Sequence, residues 1–248
     1  MRTTAHITHT RTSSRPAGLP TAIAAGLVAL AASTAAADNW TINMTVDNLF
    51  DAYKGTASTT VGSAVGSGNN WAASYNFNLT GMAASDYFYV ATASDFGGAQ
   101  GFLGDFTNTT QNLKFNTGSP AWEVLPVGKY LQQIDSSWPS TWPYLTMPTQ
   151  TQVDQALNWA ANNSNVWLTP DTFANWDNRV TGNITTWGHN SGISPKADWI
   201  WHNSLGSGNP FYGYNHDEFL IFRVKGVPAP ATAGLFGLAA LAAARRRR

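Results

Sequence analysis

Glu123 and Glu218 are the only glutamates of the chain, and acid–base cleavage of a glycosidic bond needs two carboxyl groups facing each other across a cleft. Asp217 stands beside Glu218, but adjacent residues on a strand point to opposite faces, so this pair makes no dyad by itself. His189, His202 and His216 are the histidines of the central region. None has the i, i+2 or i, i+4 spacing of a strand or helix metal site, and a His202, His216, Asp217 cluster would need the connecting loop to fold back. The serines come without a Gly-x-Ser-x-Gly elbow. Cysteine is absent, which removes disulfides, thiolate nucleophiles and thiolate metal ligands. Asp95 and Asp105 flank a glycine loop, yet the dense acidic run of a loop-type calcium site is missing. The expectation is a non-catalytic protein with no metal and no cofactor. An enzyme built around Glu218 is the third-ranked alternative.

The aromatic residues suggest a different chemistry. Sugar rings present flat C–H faces that stack on indole or phenol, while their hydroxyls pair with amides and carboxylates from nearby loops. Trp71 follows Asn69 and Asn70, and Tyr212 and Tyr214 lie in the glycine-containing stretch Phe211-Tyr212-Gly213-Tyr214-Asn215. These five residues, Asn69, Asn70, Trp71, Tyr212 and Tyr214, are the candidate ligand-binding set, with extracellular polysaccharide as the partner. The competing assignment is that aromatic rings fill the core, and that assignment is preferred for Trp40, Trp122, Trp199 and Trp201.

The elements that must position these groups are mostly strands. Few Lys and Glu but many Asn, Thr, Ser and Gly disfavour long solvent-facing helices and favour strands joined by polar turns. Ile42, Met44 and Val46 alternate with Thr41, Asn43 and Thr45, the period of a half-buried strand. Further strands are expected over 49–53, 75–79, 87–93, 102–106, 122–125, 197–201 and 219–223, and a loop over 56–70. Val153, Leu157 and Ala160 or Ala161 recur at helical spacing, so a helix is expected over 151–162 with Thr149 or Thr151 as its cap. Thr169-Pro170 has the form of a helix start and predicts a second short helix toward Trp176. The fold class is therefore all-β, a β-sandwich with a small helical insertion at about 126–190.

The two ends read differently. Arg2, Arg11 and Arg15 precede an apolar run from Leu19 to Leu30 and then Ala35-Ala36-Ala37, the order of a secretory leader cleaved before Asp38. No arginine pair occurs there, so export by the Sec route is expected. At the other end Val227-Pro228-Ala229-Pro230 leads into about 14 apolar residues, roughly 21 Å as a helix against ~30 Å of hydrocarbon. Arg245, Arg246, Arg247 and Arg248 close the chain. Seven of the 14 basic residues lie in these two end segments and none of the 14 acids does, so the body between them, 38–226, carries a net charge of −7. Such a body is a poor partner for a phosphate backbone, and nucleic acid is excluded.

The tail resembles the PEP-CTERM sorting signal, with Ala229 in place of the usual central glutamate. The resemblance implies membrane contact through the tail, 227–248, removal by an exosortase-type protease, and a final place at the bacterial cell surface or in its extracellular matrix. In the body, Asp47-Asn48, Lys54-Gly55, the stretch Val65 to Trp71, and Gly97-Gly98-Ala99-Gln100-Gly101-Phe102 resemble galactose-binding-domain-like jelly rolls. Ala197 to Trp201 and Phe219 to Arg223 resemble two strands of the same modules, placed here at the end of the chain instead of the beginning. A jelly-roll-like sandwich that contacts polysaccharide is what this similarity implies; a self-associating matrix protein is the alternative.

Overall fold

Alternation of buried and exposed side chains turns the central region into strands. The computed structural model describes residues 37–95, 97–203 and 219–226, all within the compact unit Ala35–Arg248. The strands there are β1 (Asp38–Asp47), β2 (Leu49–Gly55), β3 (Thr60–Gly68), β4 (Tyr75–Met82), β5 (Tyr87–Ala93), β6 (Gly101–Asn108), β7 (Leu113–Asn116), β8 (Glu123–Leu125) and β9 (Phe219–Lys225). A 3-10 turn at Val127–Lys129 precedes two helices, α1 (Leu131–Ile134) and α2 (Gln150–Ala161). The expected signal helix, the sorting tail, Tyr212 and Tyr214 lie outside the described residues.

The strands form two antiparallel sheets, one ordered β4-β1-β6-β7 and the other β3-β2-β5-β9-β8. Their inner faces meet in one core, where Ile42, Met44, Phe102 and Phe106 pack against Phe50, Phe88, Val90, Leu220 and Phe222. Rings interlock between the sheets, with Phe88 and Phe106 at 5.8 Å and Phe102 and Phe222 at 5.2 Å between centroids. Each such ring contributes about 1.5–3 kcal/mol through burial. Trp40, Trp122, Trp199 and Trp201 all belong to this core, as their sequence context leads one to expect.

The central strands of the five-stranded sheet, β5 and β9, are buried on both faces. Along β5, Phe88 and Val90 point into the sandwich while Tyr89 and Ala91 point outward; along β9, Leu220 and Phe222 point in while Phe219 and Ile221 point out. The outward set is covered by Val153, Ala156, Leu157 and Ala160 of α2 together with Trp138 and Trp142. Burial on both sides removes the need for polar residues, which is why Phe219 to Phe222 reads as an unbroken apolar run. Helix α2 begins where Thr149 accepts from the Gln152 backbone and Gln152 returns a side-chain bond to Thr149, a complete capping box.

Three expectations are corrected. The stretch 56–70 is not simply a loop, because β3 occupies Thr60–Gly68 and pairs with β2. It is an edge strand with little apolar content, and its glycines mark close approach: a Cβ on Gly66 would lie 2.6 Å from the Phe77 ring, and one on Gly68 2.3 Å from Phe50. No helix follows Thr169-Pro170. There Leu168 exchanges two backbone bonds of 2.9 Å with Val124 and Asp171 donates to the Trp201 carbonyl at 2.7 Å, so tertiary pairing holds the backbone extended against the local capping signal. Finally, 197–201 forms no continuous strand. It is held by single bridges, Asp198 with Asp177, Ile200 with Phe102 and Trp201 with Asp171. β7, with no expectation from the sequence, pairs with the second half of β6.

Candidate functional site

One end of the sandwich carries three of the connections between strands. β1 passes there to β2 through Asp47 and Asn48, whose peptide bond is cis, and β5 passes to β6 through 94–100. The turn between β3 and β4, carrying Asn69, Asn70 and Trp71, closes over the same end because Tyr75 stands opposite Met44 in the register of β4 on β1.

This turn is fixed from below. Tyr75 Oη accepts from the backbone N–H groups of Asn69 and Asn70, each at 3.0 Å, and its ring packs edge-on against Phe50 at 5.3 Å. Thr45 Oγ1 donates to the Trp71 carbonyl at 2.9 Å. Asn70 Oδ1 is turned back on its own loop, accepting from Ala72 N at 3.0 Å. Trp71 stays 38% exposed. The structure thus brings Asn69, Asn70 and Trp71 together, while giving the Asn70 oxygen a structural task.

A second wall comes from the segment after α2. Asn178 is fully buried and organises it, donating through Nδ2 to the Asn190 and Ile193 carbonyls at 2.8 Å each and accepting from Asn190 N at 2.7 Å. His189 Nδ1 lies 2.7 Å from the Asn178 carbonyl. Ser74 Oγ bonds Asn190 Oδ1, joining this wall to the Trp71 turn. Nothing in the spacing around Asn178 announces the role. A buried asparagine in a stretch without periodicity is its only sequence signal.

Trp187 lies beneath the two walls, stacked on Trp199 with centroids 4.0 Å apart and planes 23° apart. Its indole N–H donates to Asp47 Oδ2 at 2.8 Å. Burial pushes the Asp47 carboxyl up to about 6; the Trp187 bond opposes that rise and repulsion from Asp95 adds to it. Asp95 Oδ1 accepts from Gly97 N at 3.1 Å and from Gln100 Nε2 at 2.7 Å.

The other groups with chemical potential are dispersed. Glu123 pairs with Arg223 at 2.7 Å on the helix-covered side of the five-stranded sheet, and Arg223 lies 3.6 Å above the Trp167 ring and 4.7 Å from that of Tyr87. His202 Nδ1 is 3.3 Å from Asp171. Asp105 accepts from Asn43 Nδ2 at 2.9 Å and from Ser194 N, away from any pairing with Asp95. Among the described residues no three His, Asp or Glu side chains gather in a group able to hold a metal. A cleft of about 450 Å³ beside β7 is lined by Asp105, Lys114, Phe115, Asn116 and Lys196 and includes none of the expected sugar-binding residues. His216, Asp217, Glu218 and the sorting residues Val227, Pro228, Ala229, Pro230 and Arg245 to Arg248 lie outside the described residues. Compared with protein-family models, with curated proteins and with solved structures, the chain shows no match.

Proposed function

We propose that this chain is an exported, jelly-roll-like β-sandwich, sorted to the cell surface or extracellular matrix, that contacts polysaccharide without acting on it. The observation that carries the binding reading is Trp71. This residue is 38% exposed on a turn whose backbone is held by Tyr75 and Thr45. A backbone held in advance leaves only the side chain to be ordered when the ring stacks on a sugar face, and Asn69 lies two residues before it in the same turn. The net charge of −7 on the body suits a neutral or cation-bridged polymer better than a strongly anionic one. Delivery rests on the two ends: a leader before Asp38, and a tail running from Pro228-Ala229-Pro230 to Arg248 that an exosortase-type protease would remove at the membrane.

The full-length chain and its Trp71→Ala variant, incubated with insoluble polysaccharides, test the reading. Wild type is retained on at least one polymer and the variant falls about tenfold or more, the equivalent of ~1.4 kcal/mol of lost stacking. Equal retention of both overturns the role of Trp71. No retention on any polymer, with native circular dichroism, overturns polysaccharide contact.

A second reading, self-association into a matrix, is favoured by β3. This edge strand exposes Val61 to Ala64 consecutively, with Val61 50% exposed, and beyond the bonds that Asp154 and Gln150 make to Thr60 and Gly62 its outer edge has no neighbouring strand among the described residues. Light scattering across concentration separates the two, because only self-association predicts growth in particle size.

A further inference from the structure

We propose that Asp47, Asn48, Asp95 and Gln100 form a calcium-binding site at the corner where β1 passes to β2 and β5 passes to β6. Three side-chain oxygens there, Asp47 Oδ1, Asn48 Oδ1 and Gln100 Oε1, are buried without a hydrogen-bond partner. Buried polar atoms are almost always paired, so three in one corner require a common cause. All three are acceptors; the unpaired buried nitrogens among the described residues are the indole N–H groups of Trp40, Trp199 and Trp201 and the ring nitrogens of His202. The indole bond that reaches this corner, from Trp187, goes to Asp47 Oδ2 and not to any of these three oxygens. Gln100 is 0% exposed and Asp47 7% exposed.

The chain's pairing puts these residues together. Asp47 stands directly opposite Gly101 in the register of β1 on β6, which makes Gln100 its near neighbour, and Asn48 follows Asp47. Leu49 stands opposite Ala93 in the register of β2 on β5, so Asp95 leaves the sheet at the same corner. Gln100 Nε2 is held by Asp95 Oδ1 at 2.7 Å and by the Gly97 carbonyl at 3.1 Å. Interchanging its oxygen and nitrogen would set oxygen against two acceptors, so these bonds fix the direction of Oε1.

A cation answers the set better than any group of the protein does. Two carboxylates meet here, and the ion pairs among the described residues, Lys54–Asp86, Arg179–Asp177, His202–Asp171 and Arg223–Glu123, involve neither of them. The donors are all oxygen, two from carboxylates and two from amides. That favours a hard ion over zinc, and the mixture of amide and carboxylate ligands with irregular loop geometry favours calcium over magnesium. Trp187 N–H on Asp47 Oδ2 takes the place of the outer hydrogen bond that orients a ligating carboxylate and leaves Oδ1 for the ion. Bound calcium would tie both crossings between the sheets at the base of the Trp71 turn.

Calorimetric titration and thermal denaturation of the EDTA-stripped full-length chain, with no sugar present, test this apart from the polysaccharide reading. One calcium per chain is expected, with Kd no weaker than the ~10⁻⁴–10⁻³ M of extracellular modules, and saturating calcium raises Tm by about 5 °C. Asp47→Asn keeps the volume and an acceptor for Trp187 but weakens calcium binding at least tenfold. Should that variant not fold, Asn48→Ala, which retains both carboxylates, weakens it several-fold. No calcium binding by wild type, undiminished binding by the folded variants, or magnesium bound as tightly as calcium overturns the assignment.

Discussion

Trp187 Nε1 and Asp47 Oδ2 are 2.8 Å apart although 140 residues separate them in the chain. This bond links the irregular segment after α2 to the crossing between the sheets. It also explains Gly101, where an added Cβ would lie 2.6 Å from the Trp199 ring and 2.8 Å from that of Trp187. The stacked indoles lie across the β6 backbone where only glycine leaves room.

Trp187→Phe keeps a ring for the stack and removes the donor. Losing a hydrogen bond to a buried carboxylate lowers stability by about 1–3 kcal/mol, read as a lower urea midpoint with unchanged slope. An unaltered midpoint would show that this bond contributes nothing.

Asp154 of α2 carries the join between helix and edge strand. Its Oδ1 accepts from Thr60 N at 2.6 Å, Thr60 Oγ1 at 2.8 Å and Thr59 Oγ1 at 3.1 Å. Asp154→Ala is expected to cost about 2–4 kcal/mol and to speed hydrogen exchange at the Thr60 amide. Exchange at Thr60 that stays as slow as in wild type would contradict the assigned role.

Arg223 separates charge from shape. Its guanidinium lies between the Trp167 and Tyr87 rings while pairing with the more exposed Glu123. Arg223→Lys retains the charge but loses the planar stack, an expected loss of about 1–2 kcal/mol. Glu123→Gln should cost less than about 1 kcal/mol because that partner's side chain is 44% exposed and screened by water. Chemical denaturation of both variants checks the order, and a larger loss for Glu123→Gln would reverse the interpretation.

Asp51 gives a pH dependence of definite sign. Burial raises its pKa above the ordinary 3.8, with only partial relief from a 3.4 Å bond donated by Tyr53. The folded state holds this proton more tightly than the unfolded state, so its stabilising contribution is complete below pH 3.8 and is lost as pH rises through the folded value. The stability of wild type minus that of Asp51→Asn should therefore fall as pH rises from about 3.5 to 7. A difference that climbs over this range would refute it.

The sequence by itself determined the elements whose burial is one-sided and local. Ile42, Met44 and Val46 mark β1 at period two, and Val153, Leu157 and Ala160 mark α2 at helical spacing with a cap at Thr149 or Thr151, of which the fold uses Thr149. Such patterns are legible because neighbouring residues in the chain share one environment.

Only the tertiary structure decided the rest. Gly66 and Gly68 read as loop residues until the Phe77 and Phe50 rings are laid across them, and Thr169-Pro170 reads as a helix start until Leu168 is claimed by Val124. Asp47, Asn48 and Gln100 share a corner because β1 pairs with β6, and Asn178 is a hub because the segment around it folds back on Asn190 and Ile193. Strand order and register set these meetings. A hydrophobic period records which face of a strand is buried but not which distant strand lies beside it.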